Sequence, residues 1–251
     1  MILSATPWLL VLAGVGAGLA GSVAGLASLI SYPALLAVGL PPIMANVTNT
    51  VALVFSGGGS VLGSGPELAG QGTRLIRLGA VAVIGGVIGG LLLLATPPST
   101  FMLIVPWLIG LGSVAVLAPR RPQDARWVAR KGDVACLTVG VFLVAVYGGY
   151  FGAAAGVLTL AVLLALTRDT LARSNAVKNV VLGLANLTAA LAFVLFSSVH
   201  WSLVAPLGLG CFVGGRLGPV LVRHAPPRTL RIAIAFSGMG LAVHLGLDAY
   251  R

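Results

Sequence analysis

The sequence predicts an all-α polytopic membrane protein built from two inverted-topology repeats. Each repeat holds one glycine-rich bent or re-entrant helical segment plus three spans. Three observations carry this: an extreme apolar composition, a self-match of the chain at a nearly fixed offset, and basic residues that alternate between matched loops. Of 251 residues, 58% are hydrophobic and 8% are charged, and the mean hydropathy is +1.07. A soluble domain carries about 25% charged residues, so a water-soluble fold, disorder and a disulfide scaffold are excluded. Glu67 is the first charged residue of the chain. At about 20 apolar residues per crossing, the length allows roughly eight to ten helical segments and almost no soluble mass.

The self-match is specific. At an offset of 129 residues Asn46 falls on Asn175, Asn49 on Lys178, Gly85-Gly86-x-x-Gly89 on Gly214-Gly215-x-x-Gly218, and Pro97-Pro98 on Pro226-Pro227. At 131 residues Gly18, Gly21 and Gly25 fall on Gly149, Gly152 and Gly156. The chain therefore divides into an N-terminal transmembrane repeat over 1–118, a basic linker loop over 119–131 and a C-terminal transmembrane repeat over 132–251. Matched loops differ in charge. Arg74 and Arg77 have no basic partner around His200, the bare Pro97-Pro98 loop matches one flanked by Arg223, Arg228 and Arg231, and uncharged 31–45 matches Arg168 and Arg173. Under the positive-inside rule matched loops then lie on opposite sides, which makes the repeats inverted.

Segments 7–40 and 133–166 are each too long for one plain span and marginal for two, with a glycine-rich middle, so each is expected to bend back. The apolar runs 45–63, 75–95 and 99–118, and then 175–197, 200–222 and 228–247, are ordinary spans. The N-terminal run lacks a preceding positive charge and a cleavage signal, and reads as a retained helix. The loop 119–131, with Arg120, Arg121, Arg126, Arg130 and Lys131, reads as cytoplasmic and facing anionic lipid headgroups. That puts the protein in the cell membrane, the inner one in a bacterium, with its N-terminus outside.

Polar residues inside apolar spans are few. Asn46, Thr48 and Asn49 open one span, and Asn175, Lys178 and Asn179 open its partner. A lysine inside a span costs roughly 2.5–3.5 kcal/mol on insertion scales. Cationic charge, amide donors and a positive helix end together suit a small anion. The bland readings stay open: Asn46 and Asn175 as helix N-caps, Lys178 snorkelling to the headgroups. Glycine breaks at Gly25 and Gly156 can offer backbone groups to a cavity. Ser56, Ser60, Asn186 and Thr188 are weaker candidates, and Asp169 is expected to pair locally with Arg168 or Arg173. Gly16-x-Gly18-x-x-Gly21 matches a dinucleotide fingerprint by letter only, with no βαβ unit around it. Cys136 and Cys211 read as small buried hydrophobes. No metal-ligand spacing, catalytic constellation, cofactor motif or nucleic-acid signature is present, so no catalytic residue, metal or cofactor is expected and the protein reads as a non-enzyme.

Gly18-x-x-Gly21-x-x-x-Gly25, Pro33 and Leu40-Pro41-Pro42 leading to Ala45-Asn46 resemble the first half of the TauE/SafE sulfite-exporter family. Gly149-x-x-Gly152-x-x-x-Gly156 and Ser174-Asn175-Ala-Val-Lys178-Asn179 resemble its second half, and Gly214-Gly215-Arg216-Leu217 with Pro226-Pro227 its C-terminal signature. The family's denser glycine runs are replaced here by Gly25-Leu-Ala-Ser28 and Ala153-Ala-Ala-Gly156. The resemblance implies export of sulfite, an organosulfonate or a related sulfur-containing organic anion. The expectation is a secondary transporter working by alternating access, with Asn46, Thr48, Asn49, Asn175, Lys178, Asn179, Gly25 and Gly156 binding the substrate. An anion channel of the same architecture and a non-transporting scaffold are the alternatives. Expected partners are the anion, anionic lipid, and a proton or other coupling ion, with a homo-oligomer allowed and nucleic acid excluded.

Overall fold

The computed structural model describes residues 2–117, 131–167 and 169–224, together with 236, 239–240, 242–247 and 249. The 119–131 loop except Lys131, the Pro226-Pro227 turn and the first part of the expected last span lie outside the described residues. Among those described, all regular structure is helical: α1 (Ile2–Ala24), α2 (Ser28–Ala37), α3 (Pro42–Gly63), α4 (Gly65–Leu68), α5 (Gly72–Ala95), α6 (Pro98–Leu117), α7 (Lys131–Tyr150), α8 (Ala155–Leu166), α9 (Leu171–Phe196) and α10 (Trp201–His224).

Four of these helices are long and apolar enough to cross a bilayer: Pro7–Ala24 within α1, Gly72–Ala95, Leu171–Phe196 and Trp201–Val222 within α10. At 22 residues α3 matches them in length, about 33 Å, but polar side chains interrupt it. The surface supports the same medium. Trp8, Ile76, Trp107 and Leu195 are exposed while Asn46, Thr48, Asn49 and Lys178 are buried. That inverts the pattern of a soluble protein and suits a bilayer, where apolar side chains meet lipid and polar groups must find partners inside.

The two glycine-rich segments are broken helix pairs. The α1–α2 break falls at Gly25, with φ +78°, and the α7–α8 break spans Gly152 and Ala154, with φ +73° and +58°. Left-handed backbone ends a helix, and glycine adopts it without a Cβ penalty. After each break the chain doubles back. Gly140 packs on Val162 and Gly148 on Ala155, and in the first half Gly16 faces Ile30 and Gly21 faces Ala27. With 10 and 12 residues, α2 and α8 span about 15 and 18 Å, roughly half a hydrocarbon core.

The long helices fall into two sets. Gly14 of α1 meets Leu207 and Cys211, and Gly18 meets Cys211 and Gly215, so α1 and α10 run parallel. Gly59 and Gly63 of α3 meet Arg216 and then Pro219 in the same sense. Gly86 and Gly90 of α5 meet Ala185 and Ala189 of α9, while Gly85 and Gly89 meet Phe142 and Tyr150 of α7. Positions that coincide in the sequence match make coinciding contacts. Gly18 packs on Gly215 as Gly149 packs on Gly86, and Gly215 on Ser56 as Gly86 on Ala185. These small residues bring backbones together where lipid supplies no hydrophobic drive. The sets meet where Gly57 of α3 crosses Gly183 of α9.

One expectation is extended and one corrected. Asp169 pairs with Arg74 of the other half, while Arg173 Nη2 donates to Ala69 O at 3.2 Å and Arg168 lies outside the described residues. Cys136 is exposed, whereas Cys211 is buried as expected.

Candidate functional site

The two helix breaks touch each other. A Cβ on Gly25 would overlap the Gly156 backbone, and one on Gly156 would overlap Gly25 Cα. Beside this contact lies a cavity of about 60 Å³ lined from both halves, room for a few waters. Its walls include Ser22, Ser28, Thr50, Ser56, Ser60, Asn179 and Asn186, with Gly25 and Gly156 at the breaks.

Two half-helices begin at this cavity. Ala27 precedes α2 and Ala154 precedes α8, and neither helix start has a side-chain cap. The first four N–H groups of a helix lack an intrahelical acceptor, and the N-terminus carries about half a positive charge. Ser, Thr, Asp or Asn normally answers that need. Backbone carbonyls of the breaks take most of these donors: Leu29 N donates to Leu26 O, Ile30 N and Ser31 N to Ala27 O, Ala155 N to Gly152 O, and Val157 N and Leu158 N to Ala154 O. Among the described residues this leaves Ser28 N and Gly156 N, both on residues that line the cavity.

The opposite ends of the breaks are hydrogen-bonded from the facing half. Lys178 is fully buried, and its Nζ donates to Gly21 O at 2.9 Å and Ser22 O at 3.1 Å. Asn175 Nδ2 donates to Ser22 O at 2.8 Å. These carbonyls close α1, so an ammonium sits on the negative end of that helix. In the other half Asn46 Nδ2 donates to Tyr150 O, the end of α7, at 2.8 Å. Tyr147 Oη closes the α7–α8 break by donating to Ala153 O at 2.7 Å. The carbonyl ends are hydrogen-bonded, while each half-helix keeps one first-turn N–H, that of Ser28 or Gly156, at the cavity; two positive helix ends there suit an anion.

Of the residues expected to bind substrate, Gly25, Gly156 and Asn179 line the cavity. Asn46, Thr48, Asn49, Asn175 and Lys178 do not line it and form a buried layer around the breaks. The capping reading of the two asparagines fails. α3 begins earlier, at Pro42 behind Pro41, and α9 is capped by Thr170, which accepts from Arg173 N at 3.3 Å. Both asparagines lie a turn or more inside. Snorkelling fails for Lys178, whose amine turns to backbone carbonyls. Asn179 Nδ2 is buried and has no hydrogen-bond partner among the described residues. Thr188 bridges helices, donating to Val83 O of α5 at 3.3 Å. Ser28 and Thr50 went unnoticed in the sequence. Their signals are position: Ser28 follows a glycine break, and Thr50 lies one turn beyond Asn46, whose carbonyl its hydroxyl engages at 3.0 Å. Among the described residues no group of three His, Cys, Asp or Glu could hold a metal.

The family model described as sulfite exporter TauE/SafE matches residues 10–245. Among curated proteins, the probable membrane transporter protein ORF9 of Sinorhizobium sp is 24% identical, over 92% of this chain and 89% of its own length. The probable membrane transporter protein YfcA of Escherichia coli K12 is 26% identical, over 93% and 87%. A probable membrane transporter protein of Haemophilus influenzae is 26% identical, over 80% and 79%. No solved structure matches.

Proposed function

Since this chain belongs to the sulfite exporter TauE/SafE family, we propose that it is a secondary transporter, not an enzyme, exporting a small anion by alternating access. The observation that carries this reading is the pair of half-helix N-termini without side-chain caps at one cavity, with the opposing carbonyl ends hydrogen-bonded by Lys178, Asn175 and Asn46. The N–H groups of Ser28 and Gly156, with Asn179 Nδ2 and the hydroxyls of Ser28 and Ser60, bind the anion. Lys178 acts on it through the field and through the shape of the α1 end. The small cavity favours sulfite or a comparably small sulfur oxyanion over a bulky organosulfonate.

The repeats over 1–118 and 132–251 are inverted. The registers that set α1, α3 and α10 parallel, and α5, α7 and α9 parallel, support this. So does the short 64–71 connection that turns the chain back between α3 and α5. Each half-helix then returns toward the side it came from, and the halves rock about the Gly25–Gly156 contact. The 119–131 loop lies in the cytoplasm on anionic lipid and the N-terminus outside.

The test is uptake of labelled sulfite into proteoliposomes. Wild type is expected to show saturable uptake with counterflow, and Asn179→Asp, which replaces a donor with a negative acceptor, to raise KM at least about tenfold. Non-saturating flux without counterflow would identify a channel. No flux of any anion from folded protein would leave a scaffold.

A further inference from the structure

We infer that the first half holds an alkali-cation site on Asn46 and Asn49, at the place where the second half carries the ammonium of Lys178. The two halves treat equivalent helix ends differently. At the end of α1, Lys178 Nζ bonds two backbone carbonyls, Gly21 O and Ser22 O, as a bound cation would. At the end of α7 the matching asparagine, Asn46, donates to Tyr150 O. The residue in register with Lys178 is Asn49, whose Nδ2 turns to Ser28 Oγ at 3.4 Å.

Replacing an ammonium by an amide leaves the negative end of α7 without a full counter-charge. No side chain earlier in the first half can supply one, because Glu67 is the first charged residue of the chain. Two acceptor oxygens on one face of α3 stand at this place instead. Asn46 Oδ1 and Asn49 Oδ1 have no hydrogen-bond partner among the described residues, and their residues are at most 1% exposed. Leaving a buried acceptor orphaned is costly, and two on one face of α3, beside the carbonyl end of α7, ask for a cation. The donors are neutral oxygens, hard ligands suited to an alkali ion. Divalent ions generally draw on carboxylates, and none is among these residues. Carbonyl ends of half-helices coordinating a coupling ion fit the same physics.

The site stands on this geometry alone; its role in transport rests on the anion reading above. Ser28 joins the two, since it accepts from Asn49 and lines the cavity. A cation on Asn49 fixes that amide, and with it the start of α2. Ion and anion then stabilise one arrangement, and each raises the other's affinity.

The experiment uses the full chain in detergent and in proteoliposomes, with sodium, potassium or choline chloride at equal ionic strength. Wild type is expected to show a saturable Tm rise of roughly 2–4 °C with an alkali ion over choline, and sulfite uptake several-fold faster. Asn49→Leu keeps the volume, removes the oxygen, and is expected to lose both responses. Asn49→Lys supplies the charge covalently, so its Tm and uptake should no longer depend on the cation. Equal Tm and equal uptake of wild type in all three salts would overturn the site and leave the anion reading intact. A Tm response in wild type that Asn49→Leu retains would also overturn it. An alkali-dependent Tm lost in Asn49→Leu, with no anion flux in any salt, would uphold the site and remove the transport reading.

Discussion

Lys178 is among the largest fully buried side chains of the chain. Burying an ammonium costs several kcal/mol unless it is paired, and here two carbonyls and the negative end of a helix pay that cost. Lys178→Met keeps most of the volume and removes the charge. Two charge-assisted bonds are lost, each worth about 1.5–3 kcal/mol, partly offset by relief from burying the ion. A Tm lower by roughly 5–10 °C is expected in a detergent melt, with sulfite uptake abolished in the protein that remains folded. Uptake at the wild-type level would separate the lysine from the site. That a lysine lay inside a span was legible in the sequence, as was its company of Asn175 and Asn179. Its partners were not. They are backbone carbonyls, which no side-chain identity encodes, and they lie 157 and 156 positions away.

Among the elements, the broken helices carry the tightest constraint. Gly25 has a left-handed φ and also packs on Gly156 backbone, so Gly25→Ala meets strain of about 1–2 kcal/mol in addition to overlap. Gly156→Ala meets overlap alone, typically 1–3 kcal/mol. Gly58, on α3, has open space around its Cα, and Gly58→Ala should be neutral or gain up to about 1 kcal/mol from helix propensity. Thermal melts of the three variants should rank Gly58→Ala highest and Gly25→Ala lowest, with uptake following the same order. Equal stability of Gly58→Ala and Gly156→Ala would show that the breaks can part freely. The helices α3, α5, α6, α9 and α10 were legible within a few residues, because long apolar runs bounded by Pro or Gly set them. The start of α3 was set late, since Pro41-Pro42 begins the helix before its apolar run. The uncapped starts of α2 and α8 were hidden, because an alanine before a helix carries no sequence signal.

Across the whole molecule the halves are tied at one mouth by polar links between loops. Arg74 pairs with Asp169, and Arg173 holds Ala69 O. The pair is about a fifth exposed, so its contribution to stability is about 1 kcal/mol or less. A difference of that size between inward and outward arrangements would still change their ratio up to about fivefold. Asp169→Asn is expected to change the maximal uptake rate by about two- to fivefold with little change in KM or Tm. The exchanged pair Arg74→Asp with Asp169→Arg should restore it, and high salt should shrink the difference. A KM change with an unaltered rate would assign the pair to substrate access instead.

The bond from Lys178 to Gly21 also bears on how the protein is made. A ribosome adding about 5–20 residues per second needs roughly 8–30 s to travel from one partner to the other. During that interval α1 has left the ribosome while the lysine that closes its carbonyl end is still unsynthesised. The newborn first half must therefore keep an open polar end, in contact with water, lipid headgroups or the insertion machinery, until α9 arrives. Its maturation is complete only when the second half has been delivered, and the two halves are, in biogenesis, each other's last folding step.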